Sequence, residues 1–345
     1  MYGGGIINSG GNPWAGGAHQ SSYGGGEWDI AVMKLTPDGR QKVYATFIGG
    51  SGIEQPHSMV VDAQGNLIIA GRSNSTNYPT RGNNFGSGGA YDIVVTKLNA
   101  TGTDIIGSKK IGGDKDDGVN ISPSRNGTIS LQQNYGDDGR SEVILDGAGN
   151  ILLASSSQSA NFPTVNPFQA ALKGTQDGVV LKFSPDLSSM LFSTYLGGDA
   201  NDAAYVLSLH PTTGQLYVAG GTESPSLPSI AAGPMGTISN NGRIDGFVSI
   251  IDNTTYAIIK SVFVGTNLED QIFGVQFDQN GFPYVMGQTK GTWPVRPSSV
   301  WSQPNGKQFI AKLLPDLSDF VYSTRFGKGE PIPDISPVAF LVDRC

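Results

Sequence analysis

The chain holds a single cysteine, Cys345, and three histidines, and only 15% of its 345 residues are charged. One cysteine excludes an internal disulfide framework, and histidines this far apart give no zinc-type ligand spacing. Basic residues are outnumbered, 22 Lys and Arg against 29 Asp and Glu, leaving a formal charge of −7. That balance argues against nucleic acid, which is gripped by a basic face. No apolar run approaches the ~20 residues that cross a bilayer, so membrane insertion is not expected. The opening MYGGGIINSGG lacks a charged n-region and an apolar h-region. It does not read as a signal peptide, and any export signal is expected outside these residues. A G-x-S-x-G nucleophile elbow and a phosphate loop are also missing.

What is plentiful is glycine, 49 residues, about twice the usual share. With short runs of β-branched and aromatic residues it marks a turn-rich, all-β chain. The runs recur. An Asp opens one at Asp29 (DIAVMKL), Asp92 (DIVVTKL), Asp177 (DGVVLKF) and Asp245 (DGFVSII). Twenty residues after each stands a glycine turn, at Gly49, Gly112, Gly197 and Gly265. A worn fifth copy keeps the register, Lys307 opening KQFIAKL and Gly327 following by the same twenty. Self-similarity at a period of tens of residues means a solenoid, propeller or array, and a closed repeat absorbs the whole length into one domain.

The second copy reads as four antiparallel strands: Ser58–Asp62, Leu67–Arg72, Ile93–Leu98 and Asp104–Ile111. A tight turn follows the first (Ala63-Gln64-Gly65-Asn66), and a long polar loop holding Pro79 follows the second. An aromatic or Leu precedes Pro again at Phe162-Pro163, Leu227-Pro228 and Trp293-Pro294, a blade-packing position. Units of four strands and this length are propeller blades; the coils of a parallel β-helix are much shorter. The expected fold is therefore a single β-propeller of five four-stranded blades, one split between the termini. Its blades span about 1–48 with 322–345, 49–111, 112–196, 197–264 and 265–326. Phe340–Asp343 matches a blade's first strand and is expected antiparallel to the segment starting at Met1-Tyr2, which removes a bare edge.

VYATFIGGSGIEQPHSMVVDAQGNLIIAGRSNSTNYPT and LFSTYLGGDANDAAYVLSLHPTTGQLYVAGGTESPSLPS resemble the SBBP-type β-propeller repeat. The resemblance covers nearly the whole chain; its departures are Lys307 for Asp, Gly327-Lys328 for Gly-Gly, and His210 for the turn Asp. SPVAFLVDRC resembles the variant found in large secreted, type IX-exported proteins of Bacteroidota. This implies an extracellular, surface-associated module with neighbouring domains in a larger chain. It implies no activity, because the family is defined by its repeat.

Recurring carboxylates belong to the repeat. Glu54, Asp117, Asp202 and Asp270 each stand four residues past the second position of the glycine turn. Such regularity suits a shared local task, accepting backbone N–H groups. Asp62, Asp146 and Asp278 read likewise. Departures from symmetry carry more about function. Residues 114–140 are an insertion of about 21 relative to the other units, with Asp114, Asp116 and Asp117 at one end and Asp137 and Asp138 at the other. A hard cation such as calcium suits several oxygens beside a glycine bend, but regular ligand spacing is lacking, so a solvated acidic loop is preferred and no cofactor is expected. Trp14, Trp28, Trp301 and Asn305 are the candidate ligand-binding residues, a flat face beside an amide suiting sugar. The expected function is a non-enzymatic scaffold binding protein or glycan through its loops. The alternative is a polysaccharide-acting enzyme with carboxylates from different blades converging at the central channel.

Overall fold

A computed structural model describes residues 1–8, 18–120, 139–241, 243–329 and 339–343. These contain twenty strands in five sheets and no helix. The first sheet holds β1 (Tyr2–Ile7), β2 (Asp29–Leu35) and β3 (Lys42–Ile48). The second holds β4 (Glu54–Val61), β5 (Leu67–Ser73), β6 (Phe85–Gly86), β7 (Asp92–Leu98) and β8 (Ile105–Gly112), where β6 is a short parallel addition beside β8. The third runs β9 (Glu142–Leu145), β10 (Ile151–Ser157), β11 (Asp177–Phe183) and β12 (Met190–Leu196). The fourth runs β13 (Asp202–Leu209), β14 (Leu216–Thr222), β15 (Asp245–Ile251) and β16 (Ile258–Val264). The fifth runs β17 (Asp270–Phe277), β18 (Pro283–Thr289), β19 (Gln308–Leu313) and β20 (Phe320–Phe326). Apart from β6 each sheet is an antiparallel meander, and successive sheets contact through their first strands. The protein is a β-propeller of five blades. The first strands β4, β13 and β17 begin earlier than the pattern suggests, at the acidic residue itself, Glu54, Asp202 and Asp270.

The tight turns between first and second strands are built alike. Asp62 Oδ1 accepts the N–H groups of Gln64 and Asn66 at 3.0 and 2.8 Å. Asp146 and Asp278 repeat the bond pair. Gly65, Gly149 and Gly281 follow with φ of 81°, 79° and 81°, a left-handed conformation that a side chain would strain. The second oxygen of each Asp meets a lysine from the blade's third strand: Lys97 at 2.8 Å, Lys182 at 3.1 Å and Lys312 at 2.7 Å. In the fourth blade His210 replaces the Asp, and Ile250 stands where the lysine would be. Both partners of the ion pair are lost together.

Core packing follows from sheets covered on both faces. All seven residues of β7 and of β11 are buried, which explains why these strands read continuously apolar. Tyr78, Phe162, Leu227 and Trp293, the residues before the repeated Pro, are buried as well. Trp293 stacks on Phe309 at 3.5 Å and donates its indole N–H to Ser323 Oγ at 2.7 Å.

Closure differs from the expected pairing. Residues 339–343 form no strand, and β1 is the inner edge of a three-stranded blade. The expected antiparallel ladder between Phe340–Asp343 and Met1-Tyr2 is absent. Phe340 nevertheless stands where a first strand belongs, packed so closely on β17 that a Cβ at Gly274 would strike its ring. Counted back from the turn residue, this contact corresponds to Val143 N–H on Ser58 Oγ and to Leu207 N–H on Glu142 Oε2 in other blades. The side chain has found its inter-blade position without the backbone pairing.

Val180 is fully buried between the third and fourth blades, among Leu152, Ala204 and Phe247. Val180→Asp leaves an unpaired charge there and is expected to destabilise by at least about 3 kcal/mol. Denaturant unfolding checks this; an unchanged midpoint would mean that the strand faces solvent.

Candidate binding face and central channel

Strand direction divides the ring into two unlike faces. First-to-second and third-to-fourth turns lie at one face and are short. The second-to-third loops and the connections between blades lie at the other. That second face therefore carries every long connection, including residues 74–91, 158–176, 223–244 and 290–307, and the roots of the insertion.

Beneath it, a buried acid holds each of the four junctions between blades within the described residues. Glu54 Oε2 accepts Gly50 N–H at 2.9 Å, and its Oε1 accepts the hydroxyls of Ser73, at 2.6 Å, and Ser75. Asp117 accepts Gly113 N–H at 2.7 Å and the hydroxyls of Ser157 and Ser159. Asp202 takes Gly198 N–H and Ser224 Oγ–H at 2.7 and 2.8 Å. Asp270 takes the N–H and hydroxyl of Thr266. One side chain thus ties the end of a blade's outermost strand to the inner strands of the next. The shared local task expected of these residues is what the structure shows. Burial pushes Asp117 and Asp202 up to about 7 and Asp270 to about 6, although the donated hydrogen bonds work against it.

The Asp opening each third strand comes to the same place from the preceding blade. A Cβ at Gly49 would strike both Asp29 and Glu54; at Gly112, both Asp92 and Asp117; at Gly197, both Asp177 and Asp202. Carboxylates from different blades do converge, but beneath the glycine turns. All six are fully buried.

The channel is lined by the first strands. Ladder irregularities fall at Pro56/Ser58 in β4, Ala204/Val206 in β13 and Ile272/Gly274 in β17. A bulge re-aims the extra residue, here His57, Tyr205 and Phe273. The Tyr205 and Phe273 rings stack at 5.4 Å and 19°. His57 Nδ1 lies 3.1 Å from Ser141 Oγ on the neighbouring blade. Arg140 crosses from the third blade to the fifth, donating to the Phe273 carbonyl at 2.8 Å with its guanidinium 5.3 Å from the ring centroid. Beside it Glu142 accepts Leu207 N–H at 2.7 Å, and burial raises its carboxyl to about 7.

The sequence-derived candidates distribute as follows. Trp28 is half-buried at the seam of the first two blades, its carbonyl accepting Glu54 N–H at 2.8 Å. Trp301 is 69% exposed on the long loop of the fifth blade, where Asn305 is exposed with a φ of 60°. Trp28 and Trp301 are thus on the same face but different blades. Trp14, Asp137 and Asp138 lie outside the described residues. Asp114 is exposed, Asp116 accepts Tyr91 N–H at 3.2 Å, and Asp117 is the junction acid, so these three have separate surroundings. Among the described residues no group of three or more His, Cys, Asp or Glu stands ready for a metal ion. The insertion's roots are firmly built: Val119 and Asn120 are buried, and Gln176 Nε2 donates to Asn120 Oδ1 at 3.2 Å. His57, Arg140, Tyr205 and Phe273 escaped sequence reasoning. The signal was available, since one position, five before the turn residue, holds His57, Ser141, Tyr205 and Phe273 in successive units.

No family model and no curated protein matches the chain. Solved structures similar to it include the Dos1 propeller, at 12% identity and a TM-score of 0.44 over 89% of this chain. The chain spans 56% of that structure's length. A protein of unknown function from Dyadobacter fermentans matches at 12% identity and a TM-score of 0.42, covering 92% of this chain and 73% of that one. Kuenenia stuttgartiensis hydrazine synthase matches at 11% and 0.40, covering 85% and 64%.

Arg140→Ala removes a charged hydrogen bond and a cation–π contact across the channel. The expected loss is about 2 kcal/mol in urea unfolding. A midpoint equal to that of the parent would show that this bridge does not hold the third and fifth blades together.

Proposed function

We propose that the protein is a non-enzymatic interaction module of the SBBP type, binding a protein or a glycan with its long-loop face. The observation that carries this reading is the difference between the two faces. One is fixed turn by turn by Asp62, Asp146 and Asp278, whereas the other carries the exposed Trp301, the long loops and the insertion. Long loops on a rigid scaffold are where binding concentrates. The full burial of the paired junction acids, each engaged by backbone or side-chain donors, supports binding over glycoside hydrolysis. The repeat resemblance supports an extracellular or cell-surface setting, as one domain of a larger type IX-exported adhesin-like protein of Bacteroidota.

The insertion is the strongest feature that occurs once, but its roots help close the ring. A useful truncation therefore removes only residues 121–138 and keeps Asp117–Asn120 and Gly139–Ser141. This variant and Trp301→Ala are expected to fold with the parent's melting temperature and to lose signal on a glycan array, read with and without calcium, or in capture of a partner protein. Binding equal to the parent's in both variants would place the site elsewhere on the ring.

A further inference from the structure

The Asp29–Glu54 pair sits at the seam between the first blade and the second. Glu54 is saturated by donors: Gly50 N–H and the Ser73 and Ser75 hydroxyls. Asp29 Oδ2 accepts Gly24 N–H at 2.6 Å, while its buried Oδ1 has no donor from a neighbouring N–H or hydroxyl. That oxygen faces Glu54 across Gly49. A carboxylate oxygen without a donor, buried against a second carboxylate, is costly unless one of the two is neutral. The groups facing the pair are Tyr23 and Tyr78, with Glu27 beyond Tyr23. None is a cation. Lys110 reaches the Ser75 carbonyl at 2.8 Å but is engaged with Asp92 at 2.9 Å. The equivalent seams differ: Lys110 serves Asp92, Lys173 faces Asp177 and Lys307 faces Asp270.

We propose that Asp29 and Glu54 share one proton, making the seam between the first two blades a latch that loosens as the surroundings turn alkaline. A bound metal fits less well, since the pair is surrounded by N–H and O–H donors and a cation needs further oxygen acceptors. The first blade is the one such a latch would release. It has three strands, and the apolar cluster that holds Ile30, Val32, Tyr44 and Ile48 joins it to the second blade. Its other face opens on a cavity of about 370 Å³ lined by its own residues, among them Gly3, Met33 and Phe47.

The sign follows from linkage. Burial and Glu54 raise the Asp29 carboxyl above its ordinary range, although Gly24 N–H opposes them. A raised carboxyl contributes stability that is complete below the unfolded value and is lost as pH climbs through the folded one.

The test compares amide exchange of the intact protein at about pH 5 and about pH 8, normalised to intrinsic rates. Amides of Asp29–Ile48 are expected to lose protection at the higher pH. In Asp29→Asn, whose neutral amide can donate to Glu54, that loss is expected to shrink, while the response of β13–β16 stays as in the parent. An equal pH response of Asp29–Ile48 in parent and variant overturns the proposal. So does calcium restoring protection at high pH in the parent only, since a cation would then occupy the pair. Should the variant fail to fold, carbon NMR of the parent decides: an Asp29 carboxyl titrating in the ordinary range overturns the proposal, and one titrating above it supports it.

Discussion

The ring depends on a buried carboxylate that accepts the N–H of the turn before it. At each of four seams, Glu54, Asp117, Asp202 or Asp270 closes the turn that ends one blade and starts the next. Three of the four also draw hydroxyls from the end of their own blade's second strand, at Ser73 and Ser75, Ser157 and Ser159, and Ser224. Burying such a group is expensive, and the donors around it offset that cost only when all are in place. The arrangement therefore specifies the angle between blades as well as attaching them. Asp29, Asp92, Asp177 and Asp245 add a second carboxylate at or beside each turn, so each seam must also balance charge. Lys110 pairs with Asp92 at one seam, and Lys173 and Lys307 stand near Asp177 and Asp270 at two others; a proton is the proposed answer at the first.

The opposite face balances charge differently. Asp62, Asp146 and Asp278 are partly buried, and burial by itself would raise them. The lysines of the third strands and the turn N–H groups outweigh it and hold these carboxyls below their usual range. Their contribution is lost as pH falls through the lowered values, whereas the seam acids lose theirs as pH rises through about 6 to about 7. The two faces thus favour a mildly acidic optimum between those limits.

Much of this architecture was legible because the repeat prints its own landmarks. The spacing from Asp92 to Gly112 to Asp117 marks third strand, seam and next first strand, and recurs in register. His210 was read as a departure from the turn Asp, but that Ile250 replaces the matching lysine became meaningful only with the ion pairs of the other blades in view. Phe340–Asp343 was expected as a first strand paired with β1, but that pairing does not follow from position alone: a side chain can fill the inter-blade contact while the backbone remains unpaired. The channel was the hardest part to read. His57, Tyr205 and Phe273 share a repeat position yet differ chemically, and their inward aim comes from bulges that strand periodicity does not announce. Arg140 was harder still, since its partner lies two blades away. Of the candidate tryptophans, Trp28 and Trp301 lie on one face but on different blades, and Trp14 lies outside the described residues.

The central claim is that the seam acids close the turns between blades. Hydrogen exchange of the amides of Gly50, Gly113, Gly198 and Thr266 tests it most directly, because each donates to a carboxylate in a segment that is otherwise a turn. Protection comparable to that of the buried strand amides of β7 and β11 is predicted for all four. Exchange at the rate of exposed loops such as that of Trp301 would contradict it, and would mean that packing alone holds the blades in a ring.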